Sequence, residues 1–146
     1  MKKLNPTYLL ILFLTFFAIS SCTRDCVLKD KTTGDFIGEY KGDRCSWAGD
    51  YFENIVIDND STLNYFTGCN SNNTFDFNIY SLIGQRLEGG CNIRTVKDLE
   101  INHSSKKYIY TGKVKECGMC KSLEMEFQLM IVPKIPSDYT VVFEVK

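Results

Sequence analysis

Residues 123–131 alternate without a break: Leu123, Met125, Phe127, Leu129 and Ile131 take one parity, and Glu124, Glu126 and Gln128 take the other. A period of two places the two sets on opposite faces of a strand, and it cannot form one stripe of a helix. The period recurs over residues 74–82, where Phe75, Phe77 and Ile79 oppose Asp76 and Asn78, and over 139–146, where Val141, Phe143 and Val145 oppose Glu144. Weaker alternation covers 35–41, 51–58, 62–66, 85–88, 96–102 and 107–115. Turn residues separate the runs: Asn59-Asp60, Gly89-Gly90, Ser104-Ser105 and Pro136-Ser137-Asp138. The pattern predicts an all-β domain over residues 35–146, with about eight to nine antiparallel strands in up-and-down meander order. Each strand has one apolar face, so rolling the sheet into a small barrel or half-barrel would bury that face and hide the edges.

The chain begins differently. Lys2 and Lys3 precede an apolar run from Tyr8 to Ile19, followed by Ile19-Ser20-Ser21-Cys22. The run is shorter than the ~20 residues a helix needs to cross a bilayer. A basic start, a short apolar segment and small residues make a secretory signal. The small residues ending in Cys22 resemble the lipobox of bacterial lipoproteins. That resemblance implies removal of residues 1–21 and lipidation of Cys22, with palmitate-type acyl chains. Residues 22–34 are polar and read as a tether. Each buried CH₂ contributes about 0.8 kcal/mol, so two or three chains anchor where one would not. Thr23, rather than an acidic residue, follows Cys22, which resembles an outer-membrane address in the cell envelope. The whole chain carries a formal net charge of −1. That balance gives no electrostatic reason to expect nucleic acid or a polybasic lipid clamp.

The chain has seven cysteines: Cys22, Cys26, Cys45, Cys69, Cys91, Cys117 and Cys120. With Cys22 lipidated, an even number remain, as expected for disulfides in an exported domain. A meander sends alternate loops to the same end. On the expected strand count Cys45, Cys69, Cys91, Cys117 and Cys120 share one rim. Bridged Cα atoms must lie within about 7 Å. Cys45–Cys69 then pairs across neighbouring loops, Cys91 pairs with Cys117 or Cys120, and Cys26 takes the remaining partner if the tether climbs the sheet.

Several residues invite chemistry. Cys117-Gly118-Met119-Cys120 has the spacing of thiol–disulfide exchange sites, but those sit at a helix N-terminus that lowers the thiolate pKa. Here the flanks read as strands, so structural disulfides are the preferred reading and thiol redox chemistry is a minor alternative. A four-thiolate zinc site would need reduced cysteines, and zinc ribbons carry two C-x₂-C pairs where this chain has one. His103 is the sole histidine and falls in a loop, which removes most hydrolase and imidazole-metal chemistry. Glu124 and Glu126 share a face that reads as solvated. Asp58-Asn59-Asp60 lacks the further oxygens of a calcium loop. Trp47, with Tyr51 and Phe52 nearby, is either a contact anchor on the rim or a plug over the barrel end. No catalytic residue, metal or cofactor is assigned.

Gly38-Glu39-Tyr40 resembles the Gly-x-Trp start of lipocalin-like barrels, with Tyr in place of Trp. That resemblance implies a barrel around a small apolar ligand. Against a hollow interior stand the bulky inward residues Phe75, Phe77, Ile79, Met125, Phe127, Leu129, Val141 and Phe143, enough to fill a barrel of about eight strands. The expected function is a lipid-anchored envelope protein that binds a ligand or a protein partner without catalysis. The alternative is a disulfide-stapled inhibitor module, for instance of a hydrolase.

Overall fold

In a computed structural model of the chain, the structure describes residues 32–42, 45, 53–69, 75–90, 92–117 and 122–146. Its elements run β1 (Thr33–Gly34), β2 (Gly38–Glu39), β3 (Asn54–Ile57), helix α1 (Asp60–Thr67), β4 (Tyr80–Gly90), β5 (Ile93–Asn102), β6 (Lys107–Glu116), β7 (Leu123–Pro133) and β8 (Thr140–Val145). The domain is mostly β, as the alternation predicts. The described residues include no helix long and apolar enough to cross a membrane.

The strands form two four-stranded sheets, ordered β1-β5-β6-β8 and β2-β7-β4-β3, and neither closes into a barrel. We call them the first and second sheet. This order corrects the expected meander. β4 does not pair with β5, its neighbour in sequence. It pairs along its whole length with β7, from Tyr80↔Pro133 to Gly90↔Leu123. Two pairings are parallel, β1 with β5 and β6 with β8. Period-two patterning fixes which side of a strand is buried but carries no record of which strand lies beside it.

The two sheets stack. Ile83, Met130 and Val132 of the second sheet pack with Leu99, Tyr108 and Tyr110 of the first, and Phe36, Val141 and Phe143 pack against this cluster. The segment from β1 to β2 passes from one sheet to the other and closes one side of the stack. Its backbone donates to both sheets, Asp35 N–H to the Leu99 carbonyl and Ile37 N–H to the Ile131 carbonyl. Phe36 caps that side with its ring edge-on to Tyr110 at 5.7 Å.

The other face of the second sheet is covered too. Tyr40, Ile57, Leu82 and Leu129 pack with Leu63 and Phe66 of α1. Residues 62–66 therefore form a helix, not the expected strand. Asn59, read as a turn residue, is its N-cap: the side-chain oxygen accepts from Thr62 N–H at 2.8 Å. Gly68 ends the helix in the left-handed region at φ 67, where a side chain would be strained. Leu63, Phe66 and Thr67 are buried at helical spacing.

Two further boundaries differ from the sequence reading. Residues 85–88 belong to one long strand with 80–84, and Ile83 and Gly84, which separate the expected runs 74–82 and 85–88, are buried mid-strand. Residues 77–79 form a turn held by Asp76, whose carboxylate accepts from Asn78 N–H at 2.9 Å. The inward set divides among two cores and the surface. Phe75, Phe77, Phe127 and Leu129 lie in the core beneath α1, and Val141 and Phe143 lie between the sheets. Ile79 and Met125 are exposed.

Phe66 has no exposed surface and meets Phe127 with ring centroids 5.4 Å apart. Phe66→Ala should cost about 3–5 kcal/mol, read as a lowered urea midpoint with an unchanged slope. A loss below about 1 kcal/mol would mean that α1 does not seal this face.

Candidate functional site

Over most of their length β4 and β7 have α1 on one face and the first sheet on the other, so the polar parity of β7 faces the stack. Glu126 and Gln128 point between the sheets, in register with Leu87 and Gln85 of β4. The reading of that face as solvated holds for Glu124, which is exposed, and is corrected for Glu126, which is partly buried. Across the gap, β5 supplies Lys97, whose side chain is only 5% exposed. Lys97 shares parity with Ile93, Leu99 and Ile101, so the strand that brings apolar residues inward also brings an ammonium group. Its Nζ donates to Glu126 Oε1 at 2.9 Å, Gln128 Oε1 at 2.7 Å and Thr95 Oγ1 at 3.1 Å. Three acceptors use all three ammonium hydrogens, which is what burying a lysine requires.

Lys97 lies opposite Gly112 of β6. A Cβ at Gly112 would collide with Leu87 Cδ2 and lie 2.7 Å from Gln85 Oε1. Glycine there lets the Gln85 amide approach the β6 backbone. The result is a polar layer crossing the stack: Gln85 and Gln128 from the second sheet, Lys97 and Gly112 from the first. Gln85 Oε1 and Tyr110 OH are buried in it with no hydrogen-bond partner among the described residues. Burial, and then the nearby Glu126 charge, push the Tyr110 hydroxyl well above its ordinary range. Burial alone would raise Glu126, but hydrogen bonds from Lys97 and Thr95 and the Lys97 charge outweigh it, so its pKa is lowered. Glu124, at the same end, accepts Ile93 N–H at 3.0 Å. Backbone donors from Asn92 and Ile93 hold its pKa down.

The polar layer borders a cleft of about 270 Å³ lined by Glu53, Asn54, Gln85, Arg86, Glu88 and Val145. The cleft lies on the side of the stack opposite the β1–β2 crossing, where β3 and β8 are the end strands of their sheets. Arg86 pairs with Glu88 and, at 3.9 Å, with Glu53. The lining offers two amides, two carboxylates and one guanidinium. Such a surface can recognise groups by hydrogen bonding and charge.

The sequence-expected site residues fare unevenly. Cys45 and Cys69 form a disulfide with Cα atoms 5.2 Å apart. Cys45 N–H also donates to the Thr67 carbonyl at 3.0 Å, tying the chain beyond β2 to the end of α1. Cys117 is disulfide-bonded, and its N–H donates to the Asn92 carbonyl at 3.2 Å. Cys22, Cys26, Cys91, Cys120, Trp47, Tyr51 and Phe52 lie outside the described residues. His103 is exposed in the β5–β6 turn, with Nδ1 3.0 Å from Tyr139 OH. The described residues hold no group of three or more His, Cys, Asp or Glu side chains placed to bind a metal. No protein-family model, curated protein or solved structure matches the chain.

Two outcomes follow from this geometry. Glu126→Leu alone should cost about 2–3 kcal/mol, because it leaves the Lys97 charge buried without a carboxylate. The double variant Lys97→Met/Glu126→Leu should fall within about 1 kcal/mol of wild type by chemical denaturation. A double variant as weak as the single one would place the pair outside the stack. The pH dependence has a definite sign. Glu126 has a folded-state pKa below its ordinary 4.5. Its stabilisation is therefore present above that pH and lost as pH falls through the lowered value. Glu126→Gln should flatten the acid limb of a melting-temperature profile, and an unchanged limb would contradict the assignment.

Proposed function

We propose that the chain is a lipid-anchored cell-envelope protein, held at the outer membrane through Cys22, whose β domain binds a partner and carries no catalytic activity. The observation that carries the binding reading is the cleft between β3 and β8, open at the side of the stack and lined by amide and charged groups. The space between the sheets is occupied by Ile83, Leu99, Tyr108, Tyr110, Met130 and Val132. That packing favours recognition at the surface over a lipocalin-like barrel holding a small apolar ligand. Within this reading the partner can be an enzyme held inactive, and the module is then an inhibitor. Thiol exchange at Cys117 and Cys120 has less support, because Cys117 directly follows strand β6.

The anchor rests on the leader, the small residues before Cys22 and the even count of remaining cysteines. Intact-mass analysis of the native protein, before and after reduction, tests it. The account expects loss of residues 1–21, acyl mass on the peptide that begins at Cys22, and a gain of one hydrogen per bridged sulfur on reduction. An unmodified chain that retains residues 1–21 would remove the anchor from the account.

A further inference from the structure

The stack is closed on one side and open on the other. On the closed side a single extended segment, β1 to β2, spans the gap and hydrogen-bonds to both sheets. On the open side no strand among the described residues pairs with the outer edge of β3 or β8. The backbone on these edges is poised to pair. Thr140 and Lys146 N–H donate to β6, at Lys106 and Gly112, so the N–H and C=O groups of Val141, Phe143 and Val145 point away from it. On β3, Glu53 accepts from Arg86 N–H, so the backbone groups of Asn54 and Val56 point away from β4.

The side chains on these edges give a second, independent sign. Val56 is in register with Ile83, a residue of the core between the sheets, and Val145 is in register with Gly112. Both therefore face the inside of the stack, yet Val56 is 38% and Val145 62% exposed. These inward-facing valines are exposed where no strand among the described residues lies beyond them. β8, Thr140–Val145, contains no proline to block pairing, and its charged residue Glu144 takes the parity opposite to the inward Phe143 and Val145.

Resting on the partner-binding reading above, we infer that the partner contributes an extended segment that adds as a strand along the outer edge of β8 and lies across the cleft toward β3. Strand addition draws affinity from main-chain hydrogen bonds and specificity from alternate side chains. The segment's inward side chains are apolar and cover Val56 and Val145. Near the mouth it carries a lysine or arginine, because Glu53 and Glu88 outnumber the one cation, Arg86, among the lining residues.

Photocrosslinking in the envelope, with the full lipidated chain, tests this directly. Val56 is replaced by a photoreactive phenylalanine analogue and combined with Val145→Pro or Val145→Thr. Proline at 145 removes the outward N–H while leaving the Lys146 and Thr140 bonds to β6 in place. Threonine keeps the donor. The expected result is a discrete crosslinked partner, retained in Val145→Thr and reduced about tenfold in Val145→Pro. Thermal melts of the two variants should agree, and mass spectrometry should map the crosslink to a segment of alternating apolar residues with a basic neighbour. Persistence of the crosslink in Val145→Pro would overturn strand addition while leaving partner binding intact. A crosslink to a second copy of this chain would replace the partner named here. No crosslink from position 56 or from the exposed control position Tyr65 would end both readings.

Discussion

The pairing of β4 with β7 is the constraint on which the other layers depend. It runs eleven residues on each strand, from Tyr80↔Pro133 to Gly90↔Leu123. It places two strands side by side with both faces demanding cover. One face takes α1 and the aromatic residues around Phe127. The other takes the first sheet. An antiparallel sheet with one wet face could leave Glu126 and Gln128 in water. In this position they are forced inward, and a lysine must follow them. The polar layer around Lys97 is thus a consequence of strand order, not an addition to a finished core.

That layer divides the stack into two chemically different halves. Toward Pro133 and Lys134, large apolar side chains meet, and Tyr108 OH reaches the Lys134 carbonyl at 3.3 Å. Toward Cys117, Asn92 and Leu123, cohesion passes to charge-assisted hydrogen bonds. Burial of ions contributes little net stability compared with well-packed hydrophobes, but a wrong register would strand a charge. Lys97 can find three acceptors only when Glu126 and Gln128 face it. The layer therefore penalises a one-residue slip of β7, which would turn both acceptors away.

Much of the all-β character was legible in the alternation of residues 123–131 and 139–146, because burial of one face leaves that mark in any sheet. The Cys45–Cys69 bridge matches the pairing expected from sequence, but that expectation counted loops of a meander whose strand 62–66 is in fact α1. The helix was missed because Leu63 and Tyr65 give a short alternation; Leu63 and Phe66, three residues apart, fit helical spacing only, and with Asn59 and Gly68, a cap and a stop, they were the distinguishing signals. Strand order was not legible, since neither parity nor turn residues record that β4 meets β7. The inward polar face was therefore missed as well. Lys97 offered the one hint, a charge at the same parity as Ile93, Leu99 and Ile101.

The central claim is that β7 lies beside β4 with its polar parity turned toward β5. Backbone nuclear Overhauser contacts in solution report strand neighbours without reference to any side chain. The account predicts cross-strand contacts linking Leu82 with Ile131 and Gln85 with Gln128. Contacts that instead tied Leu123–Pro133 to Lys107–Glu116, as consecutive strands of a meander, would contradict it.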